Sequence, residues 1–123
     1  MTNELGNGID EQGNMTILKG TTVDITLTWK DSAGAAINIT GYTAKLQIRT
    51  KHESADPALV ELTQADGLVL GGAAGTIRIQ RTPAQLAAWT FARGVYDLEL
   101  TSGAGVVIRL IEGTVVVKPE VTR

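Results

Sequence analysis

The chain has 123 residues, the size of one ordinary domain, and its 43% of hydrophobic residues indicate a folded, globular protein. A net charge of −2 argues against a nucleic-acid partner, because basic surface is the main source of non-specific affinity for DNA. The lack of cysteine excludes disulfides, thiolate zinc sites and cysteine nucleophiles. No apolar run approaches the ~18–20 residues of a membrane helix, so we expect no membrane partner.

Residues 1–14 predict an N-terminal acidic arm, followed by a single domain at residues 15–123. The arm contains three acidic residues, three glycines and no basic residue, which is the composition of a flexible segment. It has no basic cluster followed by an apolar run, so we expect no signal peptide. A segment of this kind becomes ordered where something holds it, either the domain itself or a neighbouring subunit.

Alternating apolar and polar residues predict strands in the first half of the domain. A first strand is expected at residues 15–19, and residues 23–30 alternate with the period of a half-buried strand. A turn with Gly34 at positive φ separates this strand from a third at residues 43–50. The positions expected to face the core are Val23, Ile25, Leu27 and Trp29 in one strand and Ala44, Leu46 and Ile48 in the other.

One short helical turn, at about residues 82–89, interrupts the strand pattern. Thr82 is the predicted N-cap, with Pro83 at the first helical position and Gln85 completing a capping box. Leu86 and Trp89 lie three residues apart, so they share a face and are expected to close one end of the core. Shorter strands are predicted before this turn, at residues 59–63, 67–70 and 76–80.

The last part of the chain predicts a long β-hairpin around the glycine-rich loop 103–105. Facing residues share one side of a sheet, so Leu98 is expected opposite Leu110, and Leu100 opposite Ile108. This register leaves a glycine available for the left-handed position of a three-residue loop.

The apolar positions of the last strand change phase near residue 113. Before this point the inward positions have even numbers, whereas Val115 and Val117 beyond it have odd numbers. A β-bulge inserts one residue and produces such a shift, so we predict a bulge at Glu112 and Gly113.

Together these features predict an all-β, immunoglobulin-like antiparallel sandwich of about seven to eight strands. A jelly roll and a small barrel are the alternatives. In immunoglobulin-type domains a tyrosine near the start of a late strand bonds back to the preceding corner. Tyr96 follows the helical turn, and the same bond is expected for it.

The hairpin also contains the candidate acid/base pair, Asp97 and Glu99. Both side chains are expected on the outer face, where Arg109 lies opposite Glu99 or, in a register shifted by two residues, opposite Asp97. A catalytic carboxyl needs burial or like-charge crowding to raise its pKa. A cross-strand charge pair is therefore the better interpretation of these residues.

Other candidate sites also have simpler explanations. His52, in the polar loop 51–57, could bind a metal or act as a base, but no second histidine or cysteine accompanies it. Trp29 and Trp89 are expected in the core, and Phe91 is the aromatic residue expected at the surface. No serine elbow or phosphate-binding loop is present. We therefore expect a protein that is not an enzyme, with no catalytic, metal-binding or cofactor-binding residues and no small-molecule substrate.

Two segments resemble a known group of proteins. The first includes residues 39–44 (ITGYTA) and 47–49 (QIR), and the second residues 94–100 (GVYDLEL), 109–113 (RLIEG) and 119–123 (PEVTR). They are similar to small virion proteins of tailed bacteriophages and prophages with an immunoglobulin-like fold, and in style to the N-terminal domains of phage upper-baseplate proteins. The resemblance runs from about residue 15 to the end of the sequence. It implies assembly into a virion in the host cytoplasm, and no catalytic residues.

The resemblance predicts a structural protein that docks with other virion proteins, in a homo-oligomer or another symmetric assembly. The tail, baseplate, collar or fibre-attachment region is the expected position. Two alternatives stay open: a capsid decoration or cementing protein, and a carbohydrate-binding or host-adhesion module that uses Phe91 and residues 51–57. The residues predicted to contact other subunits are Leu5, Ile9, Asp10, Glu11, Phe91, Glu120, Val121 and Arg123.

Overall fold

A computed structural model of the chain describes residues 7–51 and 57–119, in which nine strands form two sheets. The larger sheet has the order β1-β2-β9-β8-β4-β5, and the smaller has the order β3-β7-β6. The strands are β1 (Gly8–Ile9), β2 (Met15–Leu18), β3 (Val23–Thr28), β4 (Thr43–Arg49), β5 (Val60–Thr63), β6 (Leu68–Leu70), β7 (Thr76–Arg81), β8 (Arg93–Thr101) and β9 (Val107–Lys118). A 3₁₀ turn at Gly72–Ala74 precedes β7, and the short helix α1 (Pro83–Leu86) follows it.

This architecture confirms the predicted all-β sandwich. The order β3-β7-β6 corresponds to strands B, E and D of an immunoglobulin-like domain, and β9-β8-β4-β5 corresponds to G, F, C and C′ of the variable type. The strand β2 runs parallel to β9, whereas the other paired strands of the described part are antiparallel. The two-residue strand β1 brings the number to nine, one more than the upper end of the prediction.

The core lies between the two sheets, and most of the predicted inward positions are buried. Leu46 and Ile48 of β4 face this core together with Ile77 and Ile79 of β7, and none of the four is more than 2% exposed. The strand β3 differs, since Val23 is buried but the next inward residues are only half-buried. The strand β3 lies at the edge of its sheet, where no second neighbour covers these side chains.

The helical turn begins as the sequence predicts. The Thr82 hydroxyl accepts a hydrogen bond from the Gln85 backbone N–H at 3.1 Å, and the Gln85 side chain accepts one from the Thr82 N–H at 2.8 Å. Leu86 and Trp89 are buried, so they close one end of the core as predicted.

The predicted hairpin register is correct near the loop and wrong farther from it. Leu100 lies opposite Ile108 as predicted, but Leu98 lies opposite Ile111 and not opposite Leu110. The bulge therefore lies at Leu110, and the prediction that placed it at residues 112–113 is wrong. Since Leu110 and Ile111 are both apolar, the sequence pattern does not distinguish which of them is the inserted residue.

The hydrogen bond predicted for Tyr96 is also wrong. Its hydroxyl donates to the carbonyl oxygen of Gly13 at 2.5 Å, and not to the corner that precedes β8. Tyr96 lies between Ile48 of β4 and Gly113 of β9, and the backbone of Gly13 lies against Gly113. This contact fixes residues near the start of the chain to the core.

Candidate functional site

The N-terminal turn, residues 10–14, is a compact loop between β1 and β2. One carboxylate oxygen of Asp10 accepts hydrogen bonds from the backbone N–H groups of Gln12 and Asn14, at 3.0 and 2.9 Å. The Asp10 backbone N–H donates to the Asn14 carbonyl, and the Gly13 N–H donates to the Asp10 carbonyl. A single aspartate thus organises the turn, as aspartate commonly does where its side chain bonds to the backbone two residues on.

The N-terminal turn lies directly on β8 and β9. Besides the bond from Tyr96 to Gly13, the Asn14 side-chain oxygen accepts hydrogen bonds from the Thr114 hydroxyl at 2.9 Å and from its N–H at 3.3 Å. A Cβ atom at Gly13 would lie closer than 3.0 Å to the carbonyl oxygen of Glu112, and one at Gly113 would meet the Gly13 backbone. The close approach of the two backbones therefore requires both glycines.

Burial and charge keep the Tyr96 hydroxyl protonated. Burial raises the pKa of Tyr96 well above its usual range, and the nearby negative charge of Asp10 raises it further. The hydroxyl can therefore act as a donor to Gly13 throughout the physiological pH range. This hydrogen bond has a structural role, since it attaches Gly13 of the N-terminal turn to Tyr96 of β8.

The residues predicted to contact other subunits fall into three groups. Ile9 packs against the core, and the Asp10 carboxylate is used within the turn, whereas Glu11 is exposed. Phe91 is half-buried and stacks on Trp89, with ring centroids 5.8 Å apart. Leu5, Glu120, Val121 and Arg123 lie outside the described residues. The division between an arm at 1–14 and a domain at 15–123 stays a prediction, although residues 7–14 contact the sandwich.

The candidate acid/base residues lie on the outer face of the larger sheet. Arg109 lies directly opposite Glu99, as predicted. Its Nε is 3.4 Å from Asp97 Oδ2, and its Nη1 is 3.6 Å from Glu112 Oε1. The Arg109 side chain is 55% exposed, so water screens these attractions and each contributes only ~0–1 kcal/mol. The geometry matches the interpretation of these residues as cross-strand charge pairs.

The sequence pattern does not indicate that Arg81 is buried. Arg81 ends β7 and is only 8% exposed, and its guanidinium forms a salt bridge with Asp66. Its Nε donates to the Gln80 carbonyl at 2.8 Å. Its guanidinium also covers Gly67, where a Cβ atom would lie 2.6 Å from Nη2. A charged residue next to the helix N-cap Thr82 is expected to be exposed. The only sequence signal for the buried Arg81–Asp66 salt bridge is therefore the presence of Asp66 and Gly67 in the turn before β6.

The outer face of β3 carries another charge pair. Arg78 of β7 donates from Nε to Asp24 Oδ1 at 3.2 Å and from Nη2 to Asp24 Oδ2 at 2.7 Å. This bidentate hydrogen bonding lowers the pKa of Asp24. At the start of the same strand, the Asn7 side chain donates to Thr21 Oγ1 and to the Thr22 carbonyl.

The remaining features to consider are metal-binding clusters and membrane-spanning helices. There, no three histidine, cysteine, aspartate or glutamate residues are grouped so that they could bind a metal. His52 lies outside the described residues. Among the helices of residues 7–51 and 57–119, none has the length and apolar character to cross a membrane.

Comparison with solved structures places the fold among known ones. The chain is similar to a structure described as the N-terminal domain of phage TP901-1 ORF48, with a TM-score of 0.50 and 14% sequence identity. The match covers 92% of this chain and 94% of that domain, so the likeness extends over nearly the whole chain. No protein-family model matches the chain, and no curated protein matches it. At this identity the likeness establishes the fold.

Proposed function

We propose that the protein is a non-enzymatic structural protein of a tailed-bacteriophage virion. It would dock with neighbouring subunits in the tail, baseplate, collar or fibre-attachment region. The observation that carries the proposal is the likeness of the whole sandwich to a phage protein domain. The resemblance of residues 39–49 and 94–123 to phage virion proteins supports it independently.

The distribution of contacts supports a scaffold that presents its surface and its ends to neighbours. The outer faces of both sheets carry partly exposed charge pairs, Arg109 with Asp97 and Arg78 with Asp24. Interfaces between protein subunits commonly have a polar rim of this kind. Tyr96 bonds the N-terminal turn to the core, and the Asn7 side chain accepts a hydrogen bond from the Leu18 N–H. We propose residues 1–6, Glu11 and residues 119–123 as subunit contacts.

The virion proposal is tested by finding the protein in purified particles. Gradient-purified phage from a host that carries the corresponding genome is expected to contain the chain in a fixed ratio to the other tail proteins. Mass spectrometry of the particles measures this ratio. The absence of the chain from infectious particles would contradict the proposal.

The contact residues are tested separately by truncation. Removing residues 1–6 is expected to leave the sandwich folded but to reduce incorporation into particles, since the Tyr96–Gly13 bond stays intact. Removing residues 1–14 takes this bond away as well, so it is expected to lower stability and incorporation together. Normal incorporation of the shorter truncation would exclude residues 1–6 as a contact, without contradicting the virion proposal.

The two alternatives predict different distributions. A capsid decoration or cementing protein would remain with isolated heads when heads and tails are separated. A carbohydrate-binding module would give reproducible signals on a glycan array. The adhesion alternative has less support, because Phe91 stacks on Trp89 and is half-buried.

A further inference from the structure

The strand β3 has one edge that no described residue covers. It pairs with β7 on one side only, with Ile25 opposite Ile79 and Leu27 opposite Ile77. The Trp29 N–H donates to the carbonyl of Gly75, its direct partner, at 2.9 Å. In an antiparallel pair the bonded positions alternate, so odd-numbered residues of this strand bond to β7.

The even-numbered residues therefore direct their backbone groups away from β7. Asp24, Thr26 and Thr28 each present an N–H and a carbonyl at the open edge, and no residue of 7–51 or 57–119 bonds to these groups. The run begins at Asp24 because the Thr22 carbonyl already accepts a hydrogen bond from the Asn7 side chain. A row of free backbone groups is a template for pairing with another strand.

The side chains of this edge also show an uncovered surface. Ile25, Leu27 and Trp29 pack against the core but stay half-buried, whereas Ile77 and Ile79 on the adjacent strand are almost completely buried. A strand added beside β3 would cover the three side chains. The residues from Val23 to Thr28 include no proline, so one common protection of an edge is absent here.

We propose that the open edge of β3 pairs in antiparallel fashion with the same edge of a second copy of this chain. The two-fold axis passes between the two Leu27 residues, which face each other. In this register Asp24 lies opposite Lys30 of the second copy, and Thr26 lies opposite Thr28. On the inner side Ile25 lies opposite Trp29. The two three-stranded sheets then form one sheet of six strands.

The sequence of the edge is self-complementary in this register. Between residues 24 and 30 every cross-strand pair is of a favourable type: opposite charges, threonine with threonine, or apolar with apolar. A register shifted by two residues would place Asp24 opposite Thr28 and Lys30 opposite Thr22, which loses both charge pairs. This charge complementarity is the reason to choose a second copy as the occupant of the edge. The interface is small, so pairing is expected to be weak in dilute solution and stronger where copies are concentrated. This proposal does not depend on the virion function.

The chain contains no cysteine, so single cysteine substitutions test the register directly. Leu27→Cys places the thiols of the two copies opposite each other. In a non-hydrogen-bonded antiparallel pair the two Cα atoms are about 4.5 Å apart, which is within the range of disulfides. Ile25→Cys is the matched control, because residue 25 lies opposite Trp29 of the second copy, four residues away from that copy's substituted position 25. Under mild oxidation Leu27→Cys is expected to give about tenfold more covalent dimer than Ile25→Cys. Equal yields, or a higher yield from Ile25→Cys, would overturn the proposal.

A proline substitution tests the backbone pairing in the Leu27→Cys background. Thr26→Pro removes an N–H that β7 does not use, so it is expected to abolish the covalent dimer while the monomer stays folded. Thr26→Val keeps this N–H and the branched side chain, and it is expected to keep the dimer. Circular dichroism of both variants checks the fold. A dimer yield that Thr26→Pro does not reduce would overturn the proposal.

A charge reversal at Lys30 and a truncation of the N-terminus test the proposal without changing a residue of β3. Lys30→Glu places like charges opposite Asp24 and is expected to reduce the dimer yield severalfold. Lys118→Glu, an equal change of charge on the other sheet, is the control and is expected to have no effect. Removal of residues 1–6 is also expected to leave the yield unchanged. A large increase after this removal would show that the chain's own N-terminal residues occupy the edge, which would overturn the proposal.

Discussion

The two sheets of this sandwich end differently near the N-terminus. The larger sheet ends at β1, two residues long, and the adjoining N-terminal turn is bonded to β8 and β9 by Tyr96 and Asn14. The smaller sheet ends at β3, whose six residues leave a row of backbone groups free in the described part of the chain. The closed end is therefore expected to contribute to the stability of the domain, whereas the open end is the one we propose for association.

The largest expected effect is at the closed end. Gly13→Ala is expected to destabilise the domain by about 2–4 kcal/mol, because its Cβ would collide with the Glu112 carbonyl and the residue has a φ of +87°. Gly34→Ala is the matched control, since Gly34 has a φ of +86° but nothing within 4 Å of its Cβ position. This control is expected to cost only about 1–2 kcal/mol. Denaturant unfolding of the two variants measures the difference. Equal decreases in the free energy of unfolding would show that the N-terminal turn does not pack closely against β9.

A smaller loss is expected when the bond of Tyr96 is removed. Tyr96→Phe leaves the carbonyl of Gly13 without its buried donor and is expected to cost about 1–3 kcal/mol. Tyr42→Phe is the control, since Tyr42 is only half-buried and its hydroxyl has no hydrogen bond within the described residues. The free energy of unfolding gives both values. If the Tyr96 and Tyr42 variants were equally stable, the closed end would not depend on this bond.

The smallest effect is expected at the open end, at the pair of Asp24 and Arg78. The folded protein lowers the pKa of Asp24, so the pair contributes stability above the usual aspartate pKa and loses it as the pH falls through the lowered value. Arg78→Gln is therefore expected to be slightly less stable than the parent protein at pH 7 and equal to it in strong acid. Unfolding measured across this pH range tests the sign. A difference that grows in acid would contradict the assignment.

The sequence predicted local features well. Period-2 alternation located most of the strands, and the capping box at Thr82 and Gln85 predicted the start of α1. The glycine loop fixed the register between Leu100 and Ile108, because a short loop constrains the residues next to it. The all-β sandwich followed from the number and the spacing of these elements.

Long-range contacts were not predictable from the sequence. The partner of Tyr96 lies 83 residues away, so no local pattern points to it. The burial of Arg81 depends on Asp66 and on the space above Gly67, which only the turn before β6 brings together. The open edge of β3 arises because β2 pairs with β9 in the other sheet. Strand alternation carries no information about which sheet a strand joins.

Amide hydrogen exchange at two protein concentrations tests the contrast between the closed and open ends most directly. We predict that the N–H groups of Thr26 and Thr28 exchange rapidly in dilute protein and become protected as the concentration rises. Those of Ile25 and Leu27, which bond to β7, are expected to be protected at both concentrations. If Thr26 and Thr28 were equally protected at both concentrations, or never protected, the open edge would not be a docking site for a second copy.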